Sequence, residues 1–318
     1  MTIMIPIADM HCDTLSISLE HQNKGKAPDL LSQDTQINIS KMKQSGYALQ
    51  NFAAFVDLSK DCDPLESALL MADLFYQQLE SHSDLISPVT SWEEIRQNMV
   101  SGKMSALLSL EEGGICKGNP HFLSVLYRLG ARMMTLTWNY ENELGFPNSD
   151  MKHGLKEQGF YFLEEMERLG MIIDVSHLSD LGIFDVLKHT KKPFVASHSN
   201  ARSICPVMRN LTDNMIRQMA ERGCITGLNF CKDFLGKPDP EKDYLDQAVK
   251  QISYLMNLGG EDFVGLGSDF DGIPIYEDFK DCTVMQTLID RMEQAGFTNR
   301  QIEKICYKNV FRIYRELL

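Results

Sequence analysis

The chain has 318 residues, of which 43% are apolar and 24% charged, with 21 Gly and 11 Pro. That is enough chain to bury a sizeable core, and the balance excludes disordered, collagenous and disulfide-stapled classes. Subtracting 44 acidic from 31 basic side chains leaves a formal charge of −13, which repels phosphate backbones and anionic membrane surfaces, so no nucleic-acid or membrane partner is expected.

The apolar runs are too short to span a bilayer and no targeting segment precedes the first element, which makes a cytoplasmic protein the expectation. The eight cysteines, at 12, 62, 116, 205, 224, 231, 282 and 306, lack the close pairs of a zinc ribbon and are expected to be reduced, mostly buried thiols. Cys12 lies beside His11 and is the cysteine to check as a nucleophile.

In chain order, Ile5 to Met10 reads as a strand whose exit carries His11, Cys12, Asp13 and Thr14. Lys41 to Ser45 suits a solvated helix end before a second strand, Ala48 to Val56. Pro64 to about Leu79 has helical spacing, and Met104 to Leu110 is a strand stopping at Glu111, Glu112, Gly113 and Gly114. A helix over Pro120 to Leu129 closes at Gly130, and Met133 to Thr137 is the next strand, ending at Trp138 and Asn139.

The alternation repeats. Gly159 to Leu169 reads as a helix, Met171 to Val175 as a strand exiting at His177, Leu181 to Lys188 as a helix, and Pro193 to Ala196 as a strand exiting at His198. Asn210 or Thr212 caps a helix over Asp213 to Arg222. Then come a strand from Cys224 to Asn229, a helix from Leu245 to Leu258 and a strand from Phe263 to Leu266, which exits into Gly267 to Gly272. The tail from Thr283 is helical with a break near Gly296.

Eight strands with helices in most gaps predict an α/β fold, a closed (β/α)8 TIM-like barrel, as one domain over 1–318 with C-terminal helices packed on it. An open doubly wound sheet is the competitor, and the glycine-rich turn it would need after the first strand is absent.

His11, Asp13, Glu112, His177, His198 and Asp269 all follow predicted strands. In a barrel those exits converge on one mouth. Three imidazoles with two carboxylates suit a pair of borderline-soft divalent ions such as zinc, with Glu112 as the bridge candidate holding them about 3.5–4 Å apart. Asp269 is placed to receive a substrate ammonium or to shuttle a proton, while Asp271, just before Gly272, caps or orients the loop. Arg209 can clamp a carboxylate or oxyanion, with Arg202 as a less favoured competitor. His21, His82, His121, His153 and His189 read as surface or locally bonded residues.

The same segments resemble the membrane (renal) dipeptidase family of zinc metallopeptidases, in a soluble bacterial form. They are Asp9 to Thr14, Glu112-Gly113-Gly114, Leu136-Thr137, Arg168 to His177, Ser197-His198-Ser199, Arg209-Asn210 and Gly267 to Gly272. The resemblance covers nearly the whole chain and implies a barrel of the metal-dependent hydrolase type with two Zn2+ per chain, other divalent ions being alternatives. It puts His11 and Asp13 on one ion, His177 and His198 on the other, and Glu112 between them. It also implies attack of a metal-bridging hydroxide on the peptide carbonyl, with Asp269 and Arg209 serving substrate and transition state, tolerance of a C-terminal D-residue, and a homodimer.

One departure stands out: where animal relatives place a substrate-binding histidine, this chain has Trp138, followed by Asn139. Both are therefore assigned to the substrate site. The altered donor keeps open a related binuclear-metal amidase, lactonase or N-acyl amino acid hydrolase. A catalytically silent metal- or metabolite-binding protein is a further alternative, opposed by the full set of site residues.

Overall fold

Each predicted strand is short because it crosses a barrel wall, and each is buried on both faces, so its sequence reads as a nearly continuous apolar run. The computed structural model describes residues 4–318. Its strands are β1 (Ile7–Asp9), β2 (Tyr47–Phe55), β3 (Ile86–Pro88), β4 (Met104–Glu111), β5 (Ala131–Thr135), β6 (Ile172–Asp174), β7 (Val195–Ala196), β8 (Ile225–Leu228) and β9 (Val264–Leu266). Parallel pairing runs from β2 through β1, β9, β8, β7, β6 and β5 to β4, and β4 pairs back onto β2 over Leu49–Phe55 and Ser105–Glu111, which closes an eight-stranded (β/α)8 barrel.

The eight closing strands coincide with the predicted ones to within about two residues at most ends. β3 was not anticipated. It lies against the start of β4, with Ile86 opposite Met104, and three residues carry no periodic signal. Three helices also escaped the sequence reading: Thr14–Asn23, Trp92–Ser101 and Lys232–Leu235. The first buries only Thr14, Leu15 and Ser18, so it shows no apolar stripe, whereas Trp92–Ser101 carries a legible capping box between Ser91 and Glu94. Thr212, rather than Asn210, caps the helix Asp213–Glu221.

The barrel interior is filled from below. Ala8, Leu49, Leu107, Met133, Ile172, Val195 and Ile225 cluster with Val310, Phe311, Ile313 and Tyr314 of the last helix, Asn309–Leu317. β9 contributes Gly265, where a Cβ would come within 3.0 Å of the Val310 side chain. A glycine is thus what lets that helix dock. Tyr314 then accepts a hydrogen bond from Asn51 Nδ2 at 2.6 Å inside the barrel. With this mouth plugged, chemistry is left to the opposite end, where the strands terminate.

Candidate metal centre and active-site cleft

Consecutive side chains on a strand face opposite sides, so of two adjacent acids at the end of β4 only one can reach the barrel axis. Leu107 belongs to the inner layer, and the alternation puts Ser109 and Glu111 on the same face. Glu111 Oε2 lies 3.2 Å from His11 Nε2, while Oε1 lies 3.3 Å from His177 Nε2 and 3.5 Å from His198 Nε2. Glu112 leaves the strand at φ 114° and turns away, its carboxylate accepting from Gly114 N at 2.7 Å, Trp138 N at 2.8 Å and Asn142 Nδ2. The expectation that Glu112 bridges the centre is therefore corrected: Glu112 turns away and Glu111 is the carboxylate the three imidazoles surround, a choice local sequence could not make because β4 is buried along its whole length.

The other predicted ligands converge around Glu111. His11 Nε2 is 3.4 Å from Asp13 Oδ2 and 3.9 Å from Asp269 Oδ1. On the far side, His177 Nε2 and His198 Nε2 stand 3.0 Å apart. Strand ends hold these residues by a repeated device. Asp174, ending β6, accepts from Ser197 N and Ser197 Oγ at 2.8 and 2.6 Å, and Ser197 Oγ in turn meets His198 Nδ1 at 2.6 Å. Asp9, ending β1, likewise accepts from Ser268 N and Oγ at 2.9 and 2.6 Å and from His11 N at 3.2 Å. Among the described residues six non-glycines have positive φ, and four of them, Glu112, His177, Asp269 and Asp271, flank this centre. Strain is concentrated where the backbone must aim side chains.

The cluster is short of positive charge. Buried His11 Nε2 and Asp13 Oδ1 have no hydrogen-bond partner, and two imidazole nitrogens facing each other at 3.0 Å are favourable only with a proton or cation between them. Burial and then the Glu111 charge push the Asp13 carboxyl up to about 8, against the pull of His11. Burial alone would raise Glu111 too, but His11, His177 and His198 hold it well below the usual carboxylate range. Burial opposes charge on His11, yet Glu111 and Asp13 outweigh it and keep that imidazole's pKa well above its ordinary value. Burial followed by the Arg209 charge lowers His177 to about 4, leaving a neutral ring with a lone pair to give. Burial likewise holds His198 well below its ordinary value, so two neutral imidazoles, with His11 held between Glu111 and Asp13, join the buried carboxylates in a donor set that fits divalent cations of zinc's type.

Above this centre opens a cleft of about 380 Å3 lined by Asp13, Glu20, Glu111, Asp269, Trp138, Phe55 and their neighbours. Trp138 forms its wall, packed edge-on against Phe55 with ring centroids 4.8 Å apart. Asn139 also lines it, its Oδ1 lying 3.1 Å from His177 Nδ1. Asp269 is fixed by Asn229 Nδ2 at 2.9 Å from its Oδ2, and burial leads the causes that push its carboxyl up to about 6.

Arg209 is buried behind the cleft rather than among its lining residues. Its Nη1 donates to Ser199 Oγ at 2.6 Å and its Nη2 to the His198 carbonyl at 2.9 Å, while Nε has no partner. Arg202 is committed elsewhere, in a two-pronged pair with Asp180 at 2.7 Å. Asp271 takes the loop role expected of it, accepting from Thr14 Oγ1 at 2.6 Å and Gln36 N at 2.7 Å. Burial holds the Cys12 thiol well above its usual pKa, which removes it as a nucleophile.

Sequence reading gave Gly272 no role of its own, yet a Cβ there would collide with Asp13 Oδ2 and lie 2.8 Å from Asp269 Oδ1. Gly272→Ala is expected to cut turnover at least roughly tenfold, because displacement of a positioned group by about 1 Å can cost up to ~100-fold. Steady-state kinetics beside a zinc titration would check it, and wild-type values in both would show that the loop absorbs the methyl freely.

Comparison with known proteins agrees with this geometry. A family model described as membrane dipeptidase, peptidase family M19, matches residues 1–317. A protein of Klebsiella pneumoniae, described as an uncharacterized protein in the pqqA 5' region, is 32% identical over 77% of this chain and 96% of its own length. The dipeptidase tcpJ of Claviceps purpurea is 30% identical over 77% of this chain, the match spanning 58% of the longer fungal protein. Among solved structures, a metallopeptidase from Rhodobacter sphaeroides liganded with a phosphinate mimic of the dipeptide L-Ala-D-Ala superposes with a TM-score of 0.91 at 25% identity, covering 99% of this chain and 100% of that one. A dipeptidase of family M19 gives a TM-score of 0.90 at 25% identity, with 99% of both chains covered. With the matching model running almost end to end, this chain belongs to the membrane dipeptidase family of metallopeptidases, peptidase family M19.

Proposed function

We propose that this protein is a dipeptidase using two zinc ions, one held by His11 and Asp13, the other by His177 and His198, with Glu111 shared between them. The observation carrying this reading is the division of the Glu111 oxygens, one toward His11 and the other toward the two remaining imidazoles. When bound, such a pair of cations supplies Lewis acidity toward the scissile carbonyl and acidifies the attacking water.

The chain's own groups do the rest. Asp269 Oδ1, on the His11 side of the centre, takes the water's proton and passes it to the departing amine, a task suited to a carboxyl poised near 6. Arg209, held through Nη1 by Ser199 and through Nη2 by the His198 carbonyl, acts as a fixed positive charge behind the site that favours negative charge developing in front of it. The acidic lining, Asp13, Glu20 and Asp269, suits the free amino end of a dipeptide. The apolar wall of Phe55 and Trp138 excludes water from one side. A D-residue at the second position belongs in the proposed substrate range, on the strength of the dipeptide mimic held by the Rhodobacter relative.

Among the described residues no helix is long and apolar enough to cross a membrane.

The test is a panel of L,L-, L,D- and N-blocked dipeptides on zinc-loaded protein. Free amino acids should be released from unblocked substrates, chelation should abolish release, and added zinc should restore it. Turnover of N-acyl amino acids or lactones without turnover of free dipeptides would favour the amidase or lactonase reading instead.

A further inference from the structure

The two imidazoles proposed for the second cation are backed very differently. His198 Nδ1 meets Ser197 Oγ at 2.6 Å, and that hydroxyl donates to Asp174 at 2.6 Å, all three groups being buried in the barrel wall. His177 has no such support from the wall. Its Nδ1 meets the side chain of Asn139, an exposed residue on the loop after β5, at 3.1 Å.

An amide oxygen is only an acceptor, so Nδ1 must carry the hydrogen there and Nε2 is left with its lone pair toward Glu111, 3.3 Å away. That tautomer is the one a cation between Glu111, His177 and His198 needs.

What holds Asn139 in place is the acid that is not at the centre. The Glu112 carboxylate accepts from Trp138 N, the residue immediately before Asn139, and from Asn142 Nδ2 three residues after it. Asn142 in turn ties the segment together, donating to the Leu136 carbonyl at 2.8 Å and accepting from Leu144 N at 2.7 Å and Gly145 N at 3.1 Å. A carboxylate buried among neutral donors, on a residue forced to φ 114°, is costly unless the loop it organises has a use.

We propose that Asn139 is a positioning residue that locks His177 into its ligating tautomer, and that Glu112 acts through the 136–145 segment to hold Asn139 at that station. The pair of adjacent acids at the end of β4 then divides the work: Glu111 faces the cations, and Glu112 sets the geometry of one of their ligands from outside. This inference rests on the metal-centre part of the functional reading and is independent of which substrate is hydrolysed.

The experiment is chelator competition with Zn2+ on the full chain, resolving the two cation affinities, for wild type, Asn139→Ala, Asn139→Asp, Glu112→Ala and the Asn139→Ala/Glu112→Ala double variant. Asn139→Ala should weaken one cation by roughly 10- to 100-fold, the usual range for losing a group that orients a ligand, and leave the other unchanged. Asn139→Asp keeps the acceptor and should restore the affinity to within a few-fold of wild type. Glu112→Ala should weaken the same cation, and the double variant should lose less than the product of the two single effects.

Unchanged affinities in Asn139→Ala, or equal losses in Asn139→Ala and Asn139→Asp, would overturn the proposal. Because Asn139 is exposed, its variants should fold even if Glu112→Ala does not. A protein that shows the predicted zinc pattern yet hydrolyses no dipeptide would leave this inference standing and remove the dipeptidase reading alone.

Discussion

Glu111→Gln is expected to lower kcat/KM by roughly 1,000-fold or more and to bring bound zinc below two per chain. The side chain offers one oxygen to His11 and the other to His177 and His198. An amide can present one of its two ends as a donor only, so at least one of the two proposed cations would lose a ligand and the shared negative charge would disappear. Losing one cation's Lewis acidity removes several kcal/mol of transition-state stabilisation, and about 4 kcal/mol corresponds to ~1,000-fold.

Glu112→Ala provides the contrast. At saturating zinc it should retain both cations, while leaving Gly114 N and Trp138 N without their acceptor, at a cost of about 1–3 kcal/mol for each buried donor. Zinc content by elemental analysis, set beside thermal denaturation, separates the two. Full zinc and near-normal turnover in Glu111→Gln would refute the bridging assignment.

Asp269→Asn should behave in the opposite way to Glu111→Gln, keeping the metal content and losing the rate. Asn229 Nδ2 donates to Oδ2 of Asp269, so the substituted side chain can keep this bond by turning its oxygen to Asn229, and its NH2 then points where the carboxylate had faced His11. An amide at that place accepts no proton at working pH. Removal of a positioned proton acceptor costs roughly 100- to 10,000-fold in kcat. The pH–rate profile gives a second readout, since a limb set by a carboxyl near 6 should vanish with the carboxylate. Loss of zinc in parallel with activity would instead make Asp269 a ligand, a role its 3.9 Å distance from His11 Nε2 would then have to accommodate.

Much of the site was readable because chemistry and strand ends coincide along the chain. His11, Asp13, His177, His198 and Asp269 each follow a short apolar run, and in a parallel barrel that position alone implies a common mouth. Arg209 was legible as a charge but not in its orientation, since its use as a buried brace depends on Ser199 and the His198 carbonyl. The helix Thr14–Asn23 went unread for a different reason: it buries few side chains and those include Thr14 and Ser18, so the apolar period that betrays helices is missing.

What the amino-acid order determined by itself was the alternation of strand and helix, the residue types gathered at the strand exits, and through them the class of fold and the kind of ion that suits it. These follow from local periodicity and donor chemistry, which need no knowledge of distant contacts. Only the tertiary structure decided between Glu111 and Glu112. The choice depends on which face of β4 looks down the barrel axis, and that face is set by register against β2 and β5, where Glu111 pairs with Phe55 and Thr135. A shift of one residue would exchange the two acids, so neighbouring strands had to be in place before either carboxylate had a role.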